Sequence, residues 1–367
     1  MSSVLQRVEW SARHVVVYPI LRLLFRNPIH ADEIDLVRVS SILILRYDKI
    51  GDMIVTLPIL RGLKAANPKL RIGVLASPSN VELLATESAV DESYVLGPGL
   101  WNILKSLWAM RNQHYEVVLN FIFNRTTTGA LIANLVGRTS IKVGQGEPKY
   151  HFYFNKVVSL KRNSTSMTGV LESFVNQAFS APVSLDRVPL TINIPASNQR
   201  VVEGFLDRHA IGTDHFIVLN LSVGESARKL SKEQYRSIVR HVCGQYEFKI
   251  VLLALPFDLV LAQQLMHEAN RCILFPDSAK ATLTEIAALV ERARAVISPD
   301  TSIVHFAAAM DTSVLAIYAS EKVDEEWKPP RVHSESVCSE QGRPASAIPI
   351  EQIIASIDRL LRTERKK

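Results

Sequence analysis

Cysteine is scarce in this chain of 367 residues, with only Cys243, Cys272 and Cys338, which are far apart and form no C-x-x-C pair. This pattern excludes a disulfide framework and a thiolate zinc site, and it is typical of a reducing cytosol. Glycine and proline, at 15 and 17 residues, are too few and too scattered for a collagen-like or low-complexity chain. The 47% apolar fraction instead predicts a globular protein long enough for two domains.

Several well-known sequence motifs are also absent. The chain has no G-x-G-x-x-G after a strand, no P-loop lysine, no G-x-S-x-G, no H-E-x-x-H and no D-x-D. These absences argue against four classes of enzyme: dinucleotide dehydrogenases, P-loop ATPases, α/β-hydrolases and metalloproteases. The same holds for sugar transferases that bind a nucleotide diphosphate through a metal ion.

The net charge of +6 is a mild basic excess. It favours anionic partners such as phosphorylated substrates or acidic lipid surfaces, although a basic protein without such a partner would carry the same charge. No dense Lys/Arg tract is present, so no nucleic-acid partner is expected.

The apolar stretch within residues 7–26 is too short to cross a bilayer, which needs about 20 residues. No small-residue cleavage site follows it, which argues against a secretory signal. Two interpretations stay open. The segment is either an amphipathic anchor on the inner leaflet, with Trp10, Tyr18 and Phe25 in the interface, or a helix packed against its own domain.

From Ser41 onwards, short apolar runs alternate with helical patterns, which predicts an α/β fold with parallel sheets covered on both faces. The alternation is interrupted once, by a proline-bearing stretch. We therefore expect two doubly wound, Rossmann-like halves that face a central cleft. The expected divisions are an extension at 1–38, a first domain at 39–180, a linker at 181–212, a second domain at 213–345 and a final helix at 346–367.

The first candidate site follows the first strand, in the segment R-Y-D-K-I-G-D from Arg46 to Asp52. Such residues point into the cleft of a doubly wound fold. Gly51 permits tight turning and close backbone approach to a ligand, and Asp48 helps to shape the turn. Asp52 is either a helix cap or a general base for a hydroxyl nucleophile, and its spacing alone favours the cap.

The second candidate site is a helix start. A strand is followed by Asp300, Thr301 and Ser302, with His305 one turn later. Free backbone N–H groups at a helix start attract phosphate, and hydroxyl and imidazole donors on one helical face would add to this. A capped helix with a satisfied buried histidine is the simpler interpretation, and spacing modestly favours it.

The third and fourth candidates lie in the second half. Ser222 opens a hydroxyl- and glycine-bearing loop that ends in Arg228 and Lys229, where a cation could neutralise a leaving diphosphate. A solvated loop with surface cations is the alternative. Asp258 follows the next strand and is placed either to accept from ribose hydroxyls or to cap a helix.

Together these segments resemble glycosyltransferase family 9, the bacterial heptosyltransferases of the lipopolysaccharide core. Arg46–Pro58 (R-Y-D-K-I-G-D-M-I-V-T-L-P) is similar to that family's amino-terminal motif, with its G-D pair and later T-x-P. Asp300–Ala309 (D-T-S-I-V-H-F-A-A-A) is similar to its D-T-G-x-x-H-x-A-A-A motif. The resemblance covers roughly residues 42–320.

The resemblance implies a GT-B architecture whose second half holds most of an ADP-sugar donor, which is a substrate, so that no cofactor and no metal are expected. It also implies that Asp52 is the catalytic base and that Asp300 and His305 contact the donor. Arg228 stands at the family's phosphate-binding lysine, although Lys229 is an equal candidate, and Asp258 stands at its ribose-binding acid.

The expected reaction is an inverting transfer of a heptose to an acceptor of the lipopolysaccharide-core type, in the cytoplasm or on the inner face of the inner membrane. Two alternatives remain. One is a transferase for another nucleotide sugar or glycan acceptor. The other is a non-catalytic membrane-surface scaffold, which Ser302, Leu230 and Ser231 support because the family has glycine, tryptophan and proline there. The intact Asp52, Asp300 and His305 argue against a scaffold.

Overall fold

The structure is a computed structural model that describes residues 22–25, 27–123, 126–277, 280–320, 326–329 and 332–362. Trp10 and Tyr18 of the predicted anchor lie outside these residues. No helix within the described ranges is long and apolar enough to cross a membrane.

Two six-stranded parallel sheets form the frame of the molecule. The first contains β1 (Ser41–Leu45), β2 (Arg71–Ala76), β3 (Glu92–Val95), β4 (Val117–Asn120), β5 (Ile141–Gln145) and β6 (Lys156–Val158). The second contains β7 (Phe216–Asn220), β8 (Lys249–Leu253), β9 (Cys272–Phe275), β10 (Ala295–Pro299), β11 (Val314–Tyr318) and β12 (Ser334–Cys338).

The strand orders are β3-β2-β1-β4-β5-β6 and β12-β11-β10-β7-β8-β9. Each is the 3-2-1-4-5-6 order of a Rossmann fold. In this order, successive strands are added towards one edge of the sheet and then, from the fourth strand, towards the other edge. The crevices at these reversal points lie at the carboxyl ends of β1 and β4 and of β7 and β10. The prediction of two doubly wound halves is confirmed.

Ten α-helices connect and cover the strands within the described ranges. They are α1 (Ile50–Ala66), α2 (Leu100–Asn112), α3 (Thr126–Val136), α4 (Met167–Ala178), α5 (Ala196–Arg208), α6 (Lys232–Gln245), α7 (Leu259–Glu268), α8 (Leu283–Arg292), α9 (Ser302–Ala309) and α10 (Ile350–Arg362). Because helices cover both faces, central strands such as β1 and β7 are buried along their whole length.

Several elements differ from the sequence-based expectation. The predicted helix at Asn80 is only a 3₁₀ turn, Val81–Leu84, because the Asn80 side chain instead accepts from the Ser77 amide and donates to the Arg46 carbonyl. The edge strands β6, β9 and β12 were not predicted. β6 has three residues and β12 has a polar sequence, so neither produces a clear periodic signal.

Two of the expected divisions hold structure of their own. Residues 27–38 pack against the first domain, since Ile34 bridges to Phe179 and Leu36 is fully buried. The interval 181–212 contains α5, which packs against α8 of the second domain through its buried side chains, including Phe205. These stretches are therefore parts of the two domains as well as connections.

Several contacts join the two domains beside the crevices. Helix α1 packs against α9. The Glu82 carboxylate accepts hydrogen bonds from the Leu283 and Thr284 amides at the start of α8, both at 3.0 Å. Arg162 of the first domain makes a bidentate ion pair with the buried Glu326. The carboxyl ends of both sheets thus share one cleft, as predicted.

Candidate functional site

A buried arginine organises the loop that follows β1. Arg46 is 1% exposed, and its guanidinium lies 3.2 Å from Asp52 Oδ1 and 3.3 Å from Asp48 Oδ2. The same group donates to the Phe121 carbonyl at 2.6 Å and to the Asp52 carbonyl at 2.9 Å. One cation thereby orients two carboxylates at the reversal point of the first sheet.

Asp52 does not cap helix α1. The N-cap residue is Lys49, and no side chain caps this helix end. Asp52 lies in the first turn with its carboxylate paired to Arg46 and 15% exposed to the cleft. The cap interpretation is therefore wrong, and the role of general base stays a prediction.

Gly51 lies inside α1 rather than in the preceding loop, and its lack of a side chain serves the contact between domains. A Cβ atom at this position would lie 2.6 Å from Cδ2 of His305 on α9. Only a glycine allows the two helices to approach this closely.

His305 is buried where α9 meets α1. Its ring packs edge-on against Trp327, with 5.4 Å between the centroids, and its Nδ1 has no hydrogen-bond partner among the described residues. Burial lowers the pKa of His305 to about 4, although the nearby Asp52 carboxylate acts in the opposite direction. The imidazole is therefore neutral near pH 7. It is buried between α9 and α1 and does not lie on an open helical face.

Thr301 is the N-cap of α9, and its hydroxyl accepts from the Ile303 amide at 3.3 Å. The Asn220 side chain at the end of β7 donates to Thr301 Oγ1 and to Ser298 Oγ, both at 3.0 Å. The Ser302 amide is consequently held at the reversal point of the second sheet, where a phosphate would bind.

Arg228 lies next to this helix start. Its guanidinium is 3.1 Å from Asp300 Oδ2 and 3.3 Å from Glu225 Oε1, while Lys49 of the first domain reaches the same Glu225 oxygen at 3.4 Å. Burial raises the pKa of the Asp300 carboxyl, and the charges of Arg228 and Lys49 oppose that rise. Cations of both domains therefore converge on the Asp300 carboxylate.

Lys229 points to a different partner. Its ammonium donates to Asp258 Oδ1 at 2.5 Å, and Asp258 Oδ2 accepts from Ser222 Oγ at 2.8 Å. Asp258 occupies the N-cap position of α7, but its carboxylate makes no capping bond, because Ser222 and Lys229 hold it. The ammonium also lies 5.9 Å from the centre of the exposed Phe257 ring.

The structure divides the predicted residues into two groups. Asp48, Asp52, Asp300, Thr301, Ser302 and Arg228 line the meeting point of the two crevices, and Ser222, Lys229 and Asp258 form a second cluster at the β7–β8 side. Sequence reasoning missed Arg46, Lys49 and Asn220 as organising residues. An arginine directly after a buried strand was the available signal for Arg46.

A metal centre is not formed by the described residues, since they contain no group of three or more His, Cys, Asp or Glu side chains placed to hold an ion. The positive charges that converge on the cleft come instead from arginine, lysine and a helix start. Such an arrangement can bind an anionic diphosphate opposite a carboxylate.

A family model and several curated relatives match this chain. The profile of "Glycosyltransferase family 9 (heptosyltransferase)" matches residues 104–348, about two thirds of the chain. The lipopolysaccharide core heptosyltransferase OpsX of Haemophilus influenzae is 21% identical over 333 residues, which are 84% of this chain and 89% of that protein.

Two solved structures share the fold. A glycosyltransferase of family 9 from Veillonella parvula superposes on this chain with a TM-score of 0.75 at 19% identity. The superposition covers 90% of this chain and 99% of that one. Escherichia coli heptosyltransferase WaaC with ADP-2-deoxy-2-fluoro heptose gives 0.68 at 15% identity, covering 87% and 99%. The predicted GT-B architecture and the resemblance based on the two motifs are both confirmed.

The site predicts an unusual pH dependence of stability. Burial raises the pKa of Asp48 to about 6 from its ordinary 3.8, with Arg46 opposing and Asp52 reinforcing the rise. Between these two values the folded chain holds the proton more tightly than the unfolded chain, so this group's contribution to the unfolding free energy falls as pH rises from about 4 to 6. Asp48→Asn should remove that fall, which urea unfolding at a series of pH values measures. An identical pH slope in both proteins would contradict the assignment.

Proposed function

Because the chain belongs to glycosyltransferase family 9, we propose that it transfers a heptose from ADP-heptose to an acceptor of the lipopolysaccharide-core type. The observation that carries the proposal is the shared cleft, where α1, which bears the Asp52 carboxylate, packs against α9, whose start attracts anions. The names of the relatives and the ADP-sugar analogue bound by WaaC support the choice of donor and acceptor.

The second domain binds the donor. The Ser302 amide and the guanidinium of Arg228 hold the diphosphate, since they lie together at the β7–β10 crevice. Asp258 and Lys229 lie next to the exposed Phe257 ring and hold the nucleoside end. Ser222 acts through Asp258, because its hydroxyl orients that carboxylate.

The first domain binds the acceptor, and Asp52 removes the proton from the attacking hydroxyl. The new glycosidic bond forms at the anomeric carbon while the bond to the diphosphate oxygen breaks, so the configuration inverts in a single displacement. The negative charge that develops on the diphosphate oxygen of the departing ADP is stabilised by Arg228. The ion pair with Arg46 fixes the position of the Asp52 carboxylate.

Charge neutralisation by protein groups makes the reaction independent of a metal ion in this proposal. Arg228 of the second domain and Lys49 of the first both contact Glu225 Oε1, and the dipole of α9 adds a favourable field at its start. We place the enzyme on the cytoplasmic side, where a nucleotide sugar is available, and the inner face of the inner membrane is its working surface.

The direct test is to incubate the protein with ADP-, UDP- and GDP-activated sugars and heptose-acceptor cores, and to measure product mass. We expect transfer from ADP-heptose alone, with an inverted anomeric signal by NMR and an unchanged rate in the presence of EDTA. Transfer from another nucleotide sugar would replace the donor assignment, and abolition by EDTA with recovery in magnesium would end the metal-independent scheme.

Removal of the base should separate binding from turnover. We expect Asp52→Asn and Asp52→Ala to bind ADP normally and to lose about 10²- to 10⁴-fold in kcat, because the proton acceptor is missing. Calorimetric ADP titration and initial rates measure the two effects. Asp32→Asn, at an exposed site of the same domain, is the matched control. Near-normal turnover without the Asp52 carboxylate would refute its role as base.

Arg228 and Lys229 make different contributions in this scheme. Arg228→Gln should weaken ADP binding by about ten- to a hundredfold, as expected for loss of a charge-assisted bond to phosphate. Lys229→Gln should weaken ADP and adenosine binding by similar factors, because its partner Asp258 belongs to the nucleoside end. Titrations with ADP and adenosine distinguish the two. If Arg228→Gln weakened adenosine as strongly as ADP, the assignment of the phosphate contact would be wrong.

A further inference from the structure

Helices α2 and α3 present an apolar surface on the outer side of the first domain. The two helices pack beside each other over the core that contains Met110 and Ile132. Their outward positions carry large apolar side chains that are 37–83% exposed: Leu100, Trp101, Leu104, Trp108, Leu131 and Leu135. We call these six residues, with the exposed cations beside them, the α2–α3 face.

Two tryptophans dominate the α2–α3 face. Trp101 is 83% exposed and Trp108 is 68% exposed, and they are two turns apart on α2. Leu104 lies between them on the same side, so the apolar positions follow helical spacing. Exposure of these rings to water is unfavourable, and an exposed apolar patch of this kind marks a binding surface.

The charge of the face has one sign. Helices α2 and α3 contain no aspartate or glutamate, whereas Lys105 and Arg111 of α2 and Arg138 just beyond α3 are exposed. Residues 22–25 extend the surface, because Asn27 donates to the Asn134 side chain of α3 at 2.9 Å and Leu23 and Leu24 are exposed.

We propose that the α2–α3 face docks on an anionic lipid bilayer, with Trp101 and Trp108 inserted at the headgroup level and the cations against lipid phosphates. Tryptophan side chains favour this interface, since one end of the ring is apolar and the indole N–H bonds to water or headgroups. Cations without acidic neighbours attract an anionic leaflet. A protein partner of mixed charge would be expected to meet acidic residues here as well.

The orientation agrees with the position of the cleft. Helix α2 begins at Leu100, shortly after the carboxyl end of β3, and the cleft lies at the carboxyl ends of the same sheet. The face therefore extends from the cleft side of the first domain along its outer layer. A docked molecule would present its first domain to the membrane surface.

Vesicle co-sedimentation of the full chain tests the proposal. Trp101→Ser/Trp108→Ser should lower partitioning onto phosphatidylglycerol-containing vesicles by about tenfold or more, whereas Val201→Ser/Met266→Ser, at exposed apolar sites of the second half, should not. Lys105→Gln and Arg111→Gln should each cost about fivefold on these vesicles and nothing on phosphatidylcholine vesicles. Circular dichroism confirms that each variant is folded.

Equal partitioning of the wild type and the double tryptophan variant would overturn the proposal and would leave residues 1–21 as the membrane-binding segment. Occupation of the face by residues 1–21 or by a second copy is the other contrary outcome. It would appear in lipid-free protein as shielding of Trp101 and Trp108 from acrylamide, or as a dimer in sedimentation that the tryptophan substitutions dissolve. Quenching by brominated lipid, lost in Trp101→Phe/Trp108→Phe, supports insertion.

Discussion

The close approach of helix α1 to helix α9 is the constraint on which the rest of the site depends. It requires Gly51, because any Cβ there would meet the His305 ring at 2.6 Å. Through this contact the reversal points of two separate sheets are brought to one place, with Asp52 on one side and the start of α9 on the other. Neither half alone contains both Asp52, the proposed base, and the helix start that is proposed to bind the diphosphate.

Electrostatic compensation shapes the same region. Arg46 is buried with two carboxylates and two backbone carbonyls around its guanidinium, so its desolvation is offset by several charge-assisted bonds. Asp300 is compensated by Arg228 in a similar way on the opposite domain. The charges of Arg46 and Asp300 are therefore buried and held in position by their ion-pair partners, which is a form of preorganisation that favours group transfer.

Much of the architecture could be predicted from the sequence, because central strands of parallel sheets are continuous apolar runs and the helices between them are long. The edge strands could not, since β12 (Ser334–Cys338) is polar and is a strand only through its pairing with β11. Spacing also favoured Asp52 as a helix cap. The sequence does not show that Arg46, at the end of the preceding strand, forms an ion pair with this carboxylate. Spacing favoured a buried His305, but it did not show the contact with Gly51, because these residues are 254 positions apart and no local pattern links them.

The Glu82 carboxylate, which bonds two amides at the start of α8 in the other domain, has a consequence for ligand affinity. If a bulky acceptor enters only when the two halves separate, these amides must exchange an anion for water each time. The hydrogen bonds of Glu82 then favour the closed conformer, which excludes the acceptor. The measured dissociation constant of the acceptor is then its intrinsic value divided by the fraction of molecules in the open conformer. A residue remote from every reacting atom would in this way set how much acceptor is needed for half-saturation.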